Sequence, residues 1–126
     1  MQPWLVLKKK SLFFLISWFL VITFFSLIDL SSIDLNIETN AWIKLDKIVH
    51  FIFYFTLTAL LLNYFESKIK YYEFICLSTA IIYGIIIEIF QDIMPTKRSF
   101  DYFDILANTF GSFTMLLLFL KKLKKN

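Results

Sequence analysis

The stretch from Ser11 to Ile28, SLFFLISWFLVITFFSLI, contains no charged side chain and decides the fold class. Three further apolar runs follow at 48–65, 74–90 and 105–120. Each run has about 16 to 18 residues and as a helix reaches roughly 24 to 27 Å, near the lower limit for crossing a hydrocarbon core. Since 59% of the residues are hydrophobic and 20% are aromatic, a soluble fold has too little interior for this surface. The sequence therefore predicts an all-α integral membrane bundle of four transmembrane helices.

The first run follows three lysines, so a cleaved secretory signal peptide is the alternative to a membrane anchor. The run is longer than the apolar region of a typical signal peptide, and no A-x-A-like cleavage site follows it. We therefore favour an uncleaved first span.

Basic residues indicate the orientation of the four spans. Nine of the 13 flank the spans on one side, whereas the other side carries four. Because positive charge collects on the cytoplasmic side, we predict that both termini are cytoplasmic. No basic and aromatic surface remains outside the spans, so we predict no nucleic-acid partner. The first group comprises Lys8, Lys9, Lys10, Lys68, Lys70, Lys121, Lys122, Lys124 and Lys125, and the second comprises Lys44, Lys47, Lys97 and Arg98.

The chain of 126 residues has only two glycines and two prolines, and no linker or internal repeat divides it. We predict a single domain over residues 1–126, with no indication of its oligomeric state. Cys76 is the only cysteine, which excludes an internal disulfide, and its apolar surroundings predict a small packing residue.

Polar side chains collect at one end of spans two, three and four. Residues three, four or seven positions apart share a helix face, so each span presents one polar stripe. An ionised group turned towards lipid at depth costs several kcal/mol, so we expect the stripes to face one another. The candidate site residues are Asp46, Lys47 and His50 near the start of span two, Glu88 and Gln91 near the end of span three, and Arg98, Asp101, Asp104 and Asn108 leading into span four.

His50 and Glu88 are the candidate catalytic residues. Antiparallel helices of equal rise place these two residues at one depth, so we predict a direct contact and a proton-exchange pair. His50 is the only histidine, and an ionisable group inside a membrane is a functional candidate by default. Alternatively, His50 is hydrogen-bonded only to Asp46, and Glu88 is a structural partner of His50 or Arg98.

Equal rise along antiparallel spans three and four also predicts that Gln91 lies at the level of Asn108, and that Glu88 lies opposite Gly111.

The other candidates are assigned to substrate binding. Arg98 suits bidentate binding of a phosphate or carboxylate group. We expect Asp101 and Asp104 to orient the basic groups, and Gln91 and Asn108 to supply neutral hydrogen bonds. The alternative is a solvated loop without chemistry, in which Asp104 only favours the N-terminus of its helix.

A metal site made from His50, Glu88 and Asp104 is a further alternative. The sequence contains no H-E-x-x-H, no Walker-type glycine loop, no G-x-S-x-G elbow and no C-x-x-C pair. We therefore predict neither a metal nor a cofactor.

Three motifs in order resemble the VanZ-like family of small bacterial membrane proteins. They are Asp46-Lys47-x-x-His50-Phe51, Tyr83-Gly84-x-x-x-Glu88-x-x-Gln91, and Arg98-Ser99-Phe100-Asp101-x-x-Asp104-Ile105-x-Ala107-Asn108-Thr109-x-Gly111. The family takes its name from a protein associated with resistance to teicoplanin, a glycopeptide that acts at the outer face of the bacterial membrane. The resemblance implies a location in the bacterial cytoplasmic membrane and a role in the cell envelope, without implying a particular reaction.

The leading functional hypothesis is an outward-facing polar pocket that recognises, and in one version modifies, the headgroup of an envelope lipid or lipid-linked glycan precursor. The rival hypothesis is a non-catalytic membrane component that assists assembly or transport. In that case the same polar cluster holds the helices together or forms a proton path.

Overall fold

The computed structural model describes the backbone of residues 3–28, 39–95 and 98–125, and the side chains of residues 10–28, 44–95 and 98–125. These residues form four α-helices and no strand: α1 Pro3–Leu27, α2 Thr39–Phe65, α3 Tyr72–Ile93 and α4 Tyr102–Lys125. Each helix is long and apolar enough to cross a membrane, which confirms the four-span, all-α prediction. Residues 29–38, between α1 and α2, and residues 96–97, between α3 and α4, lie outside the described residues.

Successive helices run antiparallel. At the start of α1, the Ser11 hydroxyl accepts a hydrogen bond from Asn63 near the end of α2, at 3.3 Å. At the end of α1, the Ser26 carbonyl accepts a hydrogen bond of 2.7 Å from Gln91 in the last turn of α3. The last turns of α1 and α3 and the first turns of α2 and α4 therefore meet at one end of the bundle, which we call the polar end.

The four helices do not contribute equally to the packing. The most extensive contacts join α2 to α4, whereas α1 contacts α2 and α3, with no α1–α4 contact in the described ranges. The helices α1 and α4 thus lie on opposite sides of the α2–α3 pair. Cys76 is buried, as predicted for a packing residue. The apolar core is formed by Leu15 and Ile22 of α1, Tyr54, Leu57, Leu61 and Leu62 of α2, Cys76 and Ala80 of α3, and Leu116 of α4.

Both glycines lie where two helices approach closely. A Cβ atom on Gly111 of α4 would collide with the backbone carbonyl of Phe51 in α2. A Cβ atom on Gly84 of α3 would lie 3.0 Å from Nδ2 of Asn108 and 3.2 Å from the Tyr54 ring. Small residues permit such close packing of membrane helices. The predicted level of Gly111 opposite Glu88 is wrong, because Glu88 is bonded to the N–H of Asp101, which precedes Gly111 by about three helical turns.

The two glycines should differ in their tolerance of alanine. Alanine favours the helical state by about 1 kcal/mol over glycine, but at Gly111 it must displace the backbone of α2, a strain of about 1–3 kcal/mol. At Gly84 the obstacles are the Asn108 and Tyr54 side chains, so a smaller loss is expected. Thermal unfolding of the detergent-purified variants, followed by helical circular dichroism, should give a lower Tm for Gly111→Ala than for Gly84→Ala. The reverse order would contradict this close approach of α2 and α4.

Candidate functional site

Lys47 is the centre of a charged cluster at the polar end. Its Nζ donates hydrogen bonds to Asp101, at 2.5 Å, and to Asp104, and it lies 3.6 Å from Oδ2 of Asp46. Asp104 is buried, while the other three side chains are between a quarter and about a third exposed. Ion pairing of this kind offsets the desolvation of the buried carboxylate. The ammonium group therefore joins the first turn of α4 to α2. The polar stripes of these two helices face each other, as we expected from the sequence.

Arg98 binds within the protein. One guanidinium nitrogen donates to the carbonyl oxygen of Ser26, and another donates to Oδ1 of Asp46, each at 3.2 Å. The Ser26 carbonyl belongs to the last turn of α1, where carbonyl groups lack partners within the helix. Gln91 donates to the same oxygen. Arg98 and Gln91 therefore tie the end of α1 to α2 and α3.

The segment 98–101 folds back against the helices. The Asp101 N–H donates to Oε2 of Glu88 at 3.2 Å, and the Phe100 N–H donates to Oδ1 of Asp92 at 3.3 Å. Oδ1 of Asp101 accepts the N–H of Phe103 at 2.8 Å and so caps the start of α4. Arg98 and Asp101 are therefore bonded to the helices and are not simply solvated, while the alternative of a loop without chemistry stays open.

Asp101 lies between the membrane-spanning segments, where its charge has two partners. Partial burial alone would raise the pKa of Asp101, but the hydrogen bonds from Lys47 and from the Phe103 N–H outweigh that effect and lower it below its ordinary value. Asp101 therefore remains ionised at neutral pH, both as the cap of α4 and as a partner of Lys47.

His50 is buried and faces α4. Its Nδ1 is hydrogen-bonded to Oδ1 of Asn108 at 2.9 Å, and its Nε2 lies 3.7 Å from Oδ1 of Asp46 and 3.7 Å from Oδ2 of Asp104. The alternative in which Asp46 is the only partner of His50 is therefore wrong, because Asn108 and Asp104 also lie beside the imidazole.

The predicted direct contact between His50 and Glu88 is wrong. No hydrogen bond or ion pair joins these two side chains, both of which the structure describes. Asn108 reaches from His50 on α2 towards Gly84 on α3, where its amide nitrogen is close to the position of an added Cβ. Equal rise along α2 and α3 takes no account of α4, whose Asn108 side chain supplies the bond to His50.

The predicted levels of α3 and α4 are also displaced. Asn108 lies close to Gly84 rather than to Gln91, a difference of about two helical turns along α3. The segment before α4 bonds back to Glu88, so α4 begins deeper in the bundle than a simple outer loop would place it.

Several buried polar residues extend the site beyond the predicted set. Tyr54 and Thr58 continue the stripe of His50 at intervals of four, and Ser112 follows Asn108 by the same interval, so helical spacing was sufficient to find them. Ser26 contributes a backbone carbonyl, for which the side-chain sequence has no signal. Four buried polar atoms have no hydrogen-bond partner among the described residues: Tyr54 Oη, Thr58 Oγ1, Glu88 Oε1 and Asn108 Nδ2.

Two cavities adjoin the charged cluster. A cavity of about 180 Å³ lies between α1 and α2 and is lined by Phe25, Ser26, Leu45, Asp46, Val49, His50, Phe53 and Arg98. A groove of about 400 Å³ lies between α2 and α4 and is lined by Lys47, Ile48, Phe51, Leu106, Ala107 and Phe110. The first combines charged and apolar walls, while the second is apolar apart from Lys47.

Four antiparallel membrane-spanning helices around a buried charged cluster define a multi-pass membrane protein with a polar site inside the bundle. The family model described as VanZ/LLP1 matches residues 11–124, from the first helix to the last, and the chain belongs to this family. This confirms the family resemblance seen in the sequence. Comparisons with curated proteins and with solved structures found no match.

The hydrogen bond between His50 and Asn108 should appear as an energetic coupling. In a double-mutant cycle with His50→Ala and Asn108→Ala, we expect a coupling on the order of 1 kcal/mol, because each substitution removes the same buried bond. The measurement is the unfolding free energy in detergent. A parallel cycle with His50→Ala and Glu88→Ala should give a smaller coupling, and a larger one there would support direct pairing of these two residues.

Proposed function

We propose that the polar end binds the headgroup of an envelope lipid or of a lipid-linked glycan precursor. The observation that carries the proposal is the cavity between α1 and α2, whose wall combines Arg98, Asp46 and His50 with apolar side chains such as Phe25 and Phe53. An amphiphilic ligand needs both kinds of surface, because its headgroup is charged or polar and its chain is apolar.

Arg98 is the proposed anion-binding group. A guanidinium carries five N–H donors, of which Ser26 and Asp46 occupy two, so donors remain for a phosphate or carboxylate oxygen. Lys47, held by Asp101 and Asp104, adjoins the apolar groove between α2 and α4. A lipid chain in that groove would bring its headgroup to the ammonium group.

If the protein also modifies the headgroup that it binds, His50 is the proposed proton-exchange group. Its imidazole lines the cavity, and an imidazole nitrogen can accept or donate a proton. Glu88 acts on the same site through the Asp101 N–H, without touching His50. The remaining candidates, Gln91 and Asn108, hold α1 and His50 in place.

The non-catalytic alternative is also favoured by one observation. Lys47 and Arg98 already pair with carboxylates of the protein, as expected if the cluster holds the helices together. The substitution Glu88→Gln separates the two functions. A folded variant at normal membrane abundance that forms no product supports a catalytic headgroup site, whereas disappearance of the protein supports a structural role.

We further propose that the polar end faces outwards across the bacterial cytoplasmic membrane. The lysine asymmetry supports this orientation. Reporter fusions at Asn126 and after Lys70 should be cytoplasmic, while a fusion after Glu38 should be external. An external C-terminus would overturn both the orientation and the outward-facing site.

Arg98→Lys should reduce the lipid that co-purifies with the chain by roughly ten-fold, because the planar fork is lost while the charge is kept. The measurement is mass spectrometry of lipids bound to detergent-purified protein, with Lys121→Ala at the opposite end of α4 as the control. Normal lipid recovery by both Arg98→Lys and Arg98→Ala would remove Arg98 from the site.

The lipid profile of a deletion strain, compared with wild type, would identify the substrate class. Measuring the teicoplanin susceptibility of the same strain is a separate test of the resistance role from which the family takes its name.

A further inference from the structure

Three potential ligand atoms converge at the polar end. Nε2 of His50 lies 3.7 Å from Oδ1 of Asp46 and 3.7 Å from Oδ2 of Asp104. One ligand atom from each of these residues lies within 4.8 Å of the other two. A metal with ligands at about 2.0–2.2 Å holds neighbouring ligand atoms roughly 3–3.5 Å apart, so a small closure of this triangle would complete the site. Two of the ligands come from α2 and the third from α4.

The orientation of His50 independently indicates a cation. Oδ1 of Asn108 can only accept a hydrogen bond, so the proton of a neutral imidazole is on Nδ1 and the lone pair is on Nε2. This lone pair faces two carboxylates from a side chain that is 4% exposed, and Nε2 has no hydrogen bond among the described residues. Histidines that bind metals characteristically donate their other N–H to an oxygen in this way.

The neighbouring basic residues leave the triangle open. Lys47 donates to Oδ1 of Asp104, whereas Oδ2 faces His50. Arg98 donates to Oδ1 of Asp46, an oxygen whose second lone pair can still bind a cation. Lys47 also lies 3.6 Å from Oδ2 of Asp46, so Lys47 and Arg98 orient the two carboxylates through lone pairs other than those that face His50.

We propose that Asp46, His50 and Asp104 bind one divalent transition-metal ion, of the chemistry of Zn²⁺ or Mn²⁺. An imidazole with two carboxylates suits these ions, whereas Mg²⁺ and Ca²⁺ prefer oxygen ligands throughout. This set differs from the metal alternative considered in the sequence, since Asp46 takes the place of Glu88. Three protein ligands leave at least one coordination position open to water or to an anionic oxygen. The metal proposal does not depend on headgroup binding, because it is tested by adding the metal ion alone to the protein.

Metal titration of the purified full-length chain tests the site. After treatment with a chelator, the protein in detergent is titrated with Zn²⁺ by calorimetry and with Mn²⁺ by electron paramagnetic resonance. We expect one ion per chain for at least one of the two metals. His50→Ala and Asp104→Asn should each weaken binding by about 100-fold or more, while Asn108→Leu, which removes the acceptor at Nδ1, should weaken it by about 10- to 100-fold.

Asp92→Asn is the matched control, because Asp92 is a carboxylate at the same end of the bundle but outside the triangle. It should bind metal as the wild type does. Helical circular dichroism and size-exclusion chromatography identify variants that have lost their fold, and for those the milder His50→Gln and Asp46→Asn substitutions take their place.

Two results would overturn the proposal. The first is a wild-type chain that binds neither metal, which leaves a protonated His50 paired with two carboxylates as the explanation of the geometry. The second is equal binding by the wild type and by every folded ligand variant, which identifies an adventitious ion only.

Discussion

The polar end depends on the pairing of Lys47 with carboxylates from α2 and α4. Asp104 is buried, and an unpaired charge there would carry a desolvation cost of several kcal/mol, so its pairing with Lys47 stabilises both groups. This pairing restricts the rotation of α4 about its axis, because Asp104 must face α2. It also brings Asp104 to His50, and the metal triangle follows from that approach.

Close helix packing makes this pairing possible. Within a membrane there is no hydrophobic force between helices beyond what lipid also provides, so tight contact and buried hydrogen bonds hold a bundle together. Gly111 lets α4 approach the backbone of Phe51 in α2, and Gly84 leaves room for Asn108 against α3. Asn108 of α4 therefore reaches His50 of α2. The close approaches at the only two glycines of the chain help to set where the polar residues of the three helices meet.

The charge balance of the cluster bears on what it binds. Three aspartates surround Lys47, and among the described side chains Arg98 adds a second permanent positive charge through its ion pair with Asp46. An anionic headgroup in this environment benefits from an additional cation, and a metal at Asp46, His50 and Asp104 would supply one beside the cavity that contains Arg98. Headgroup binding and metal binding are thus compatible, and each rests on its own observations. A metal on Nε2 of His50 would, however, exclude the version in which His50 exchanges a proton with the headgroup, because Nδ1 is already bonded to Asn108.

The sequence by itself determined the number of spans, the helical class and the family, and it indicated most of the polar residues that meet at the polar end. These properties are local, since hydropathy runs report span length and intervals of three, four and seven report a shared face. Only the tertiary structure decided the partners. His50 is hydrogen-bonded to Asn108 of α4 instead of Glu88 of α3, because α4 packs against both α2 and α3 and supplies the nearer partner. Arg98 binds the Ser26 carbonyl, and a backbone group has no signature in the sequence. The depth of α4 follows from the hydrogen bond between the Asp101 N–H and Glu88, a contact across the bundle that no local pattern encodes.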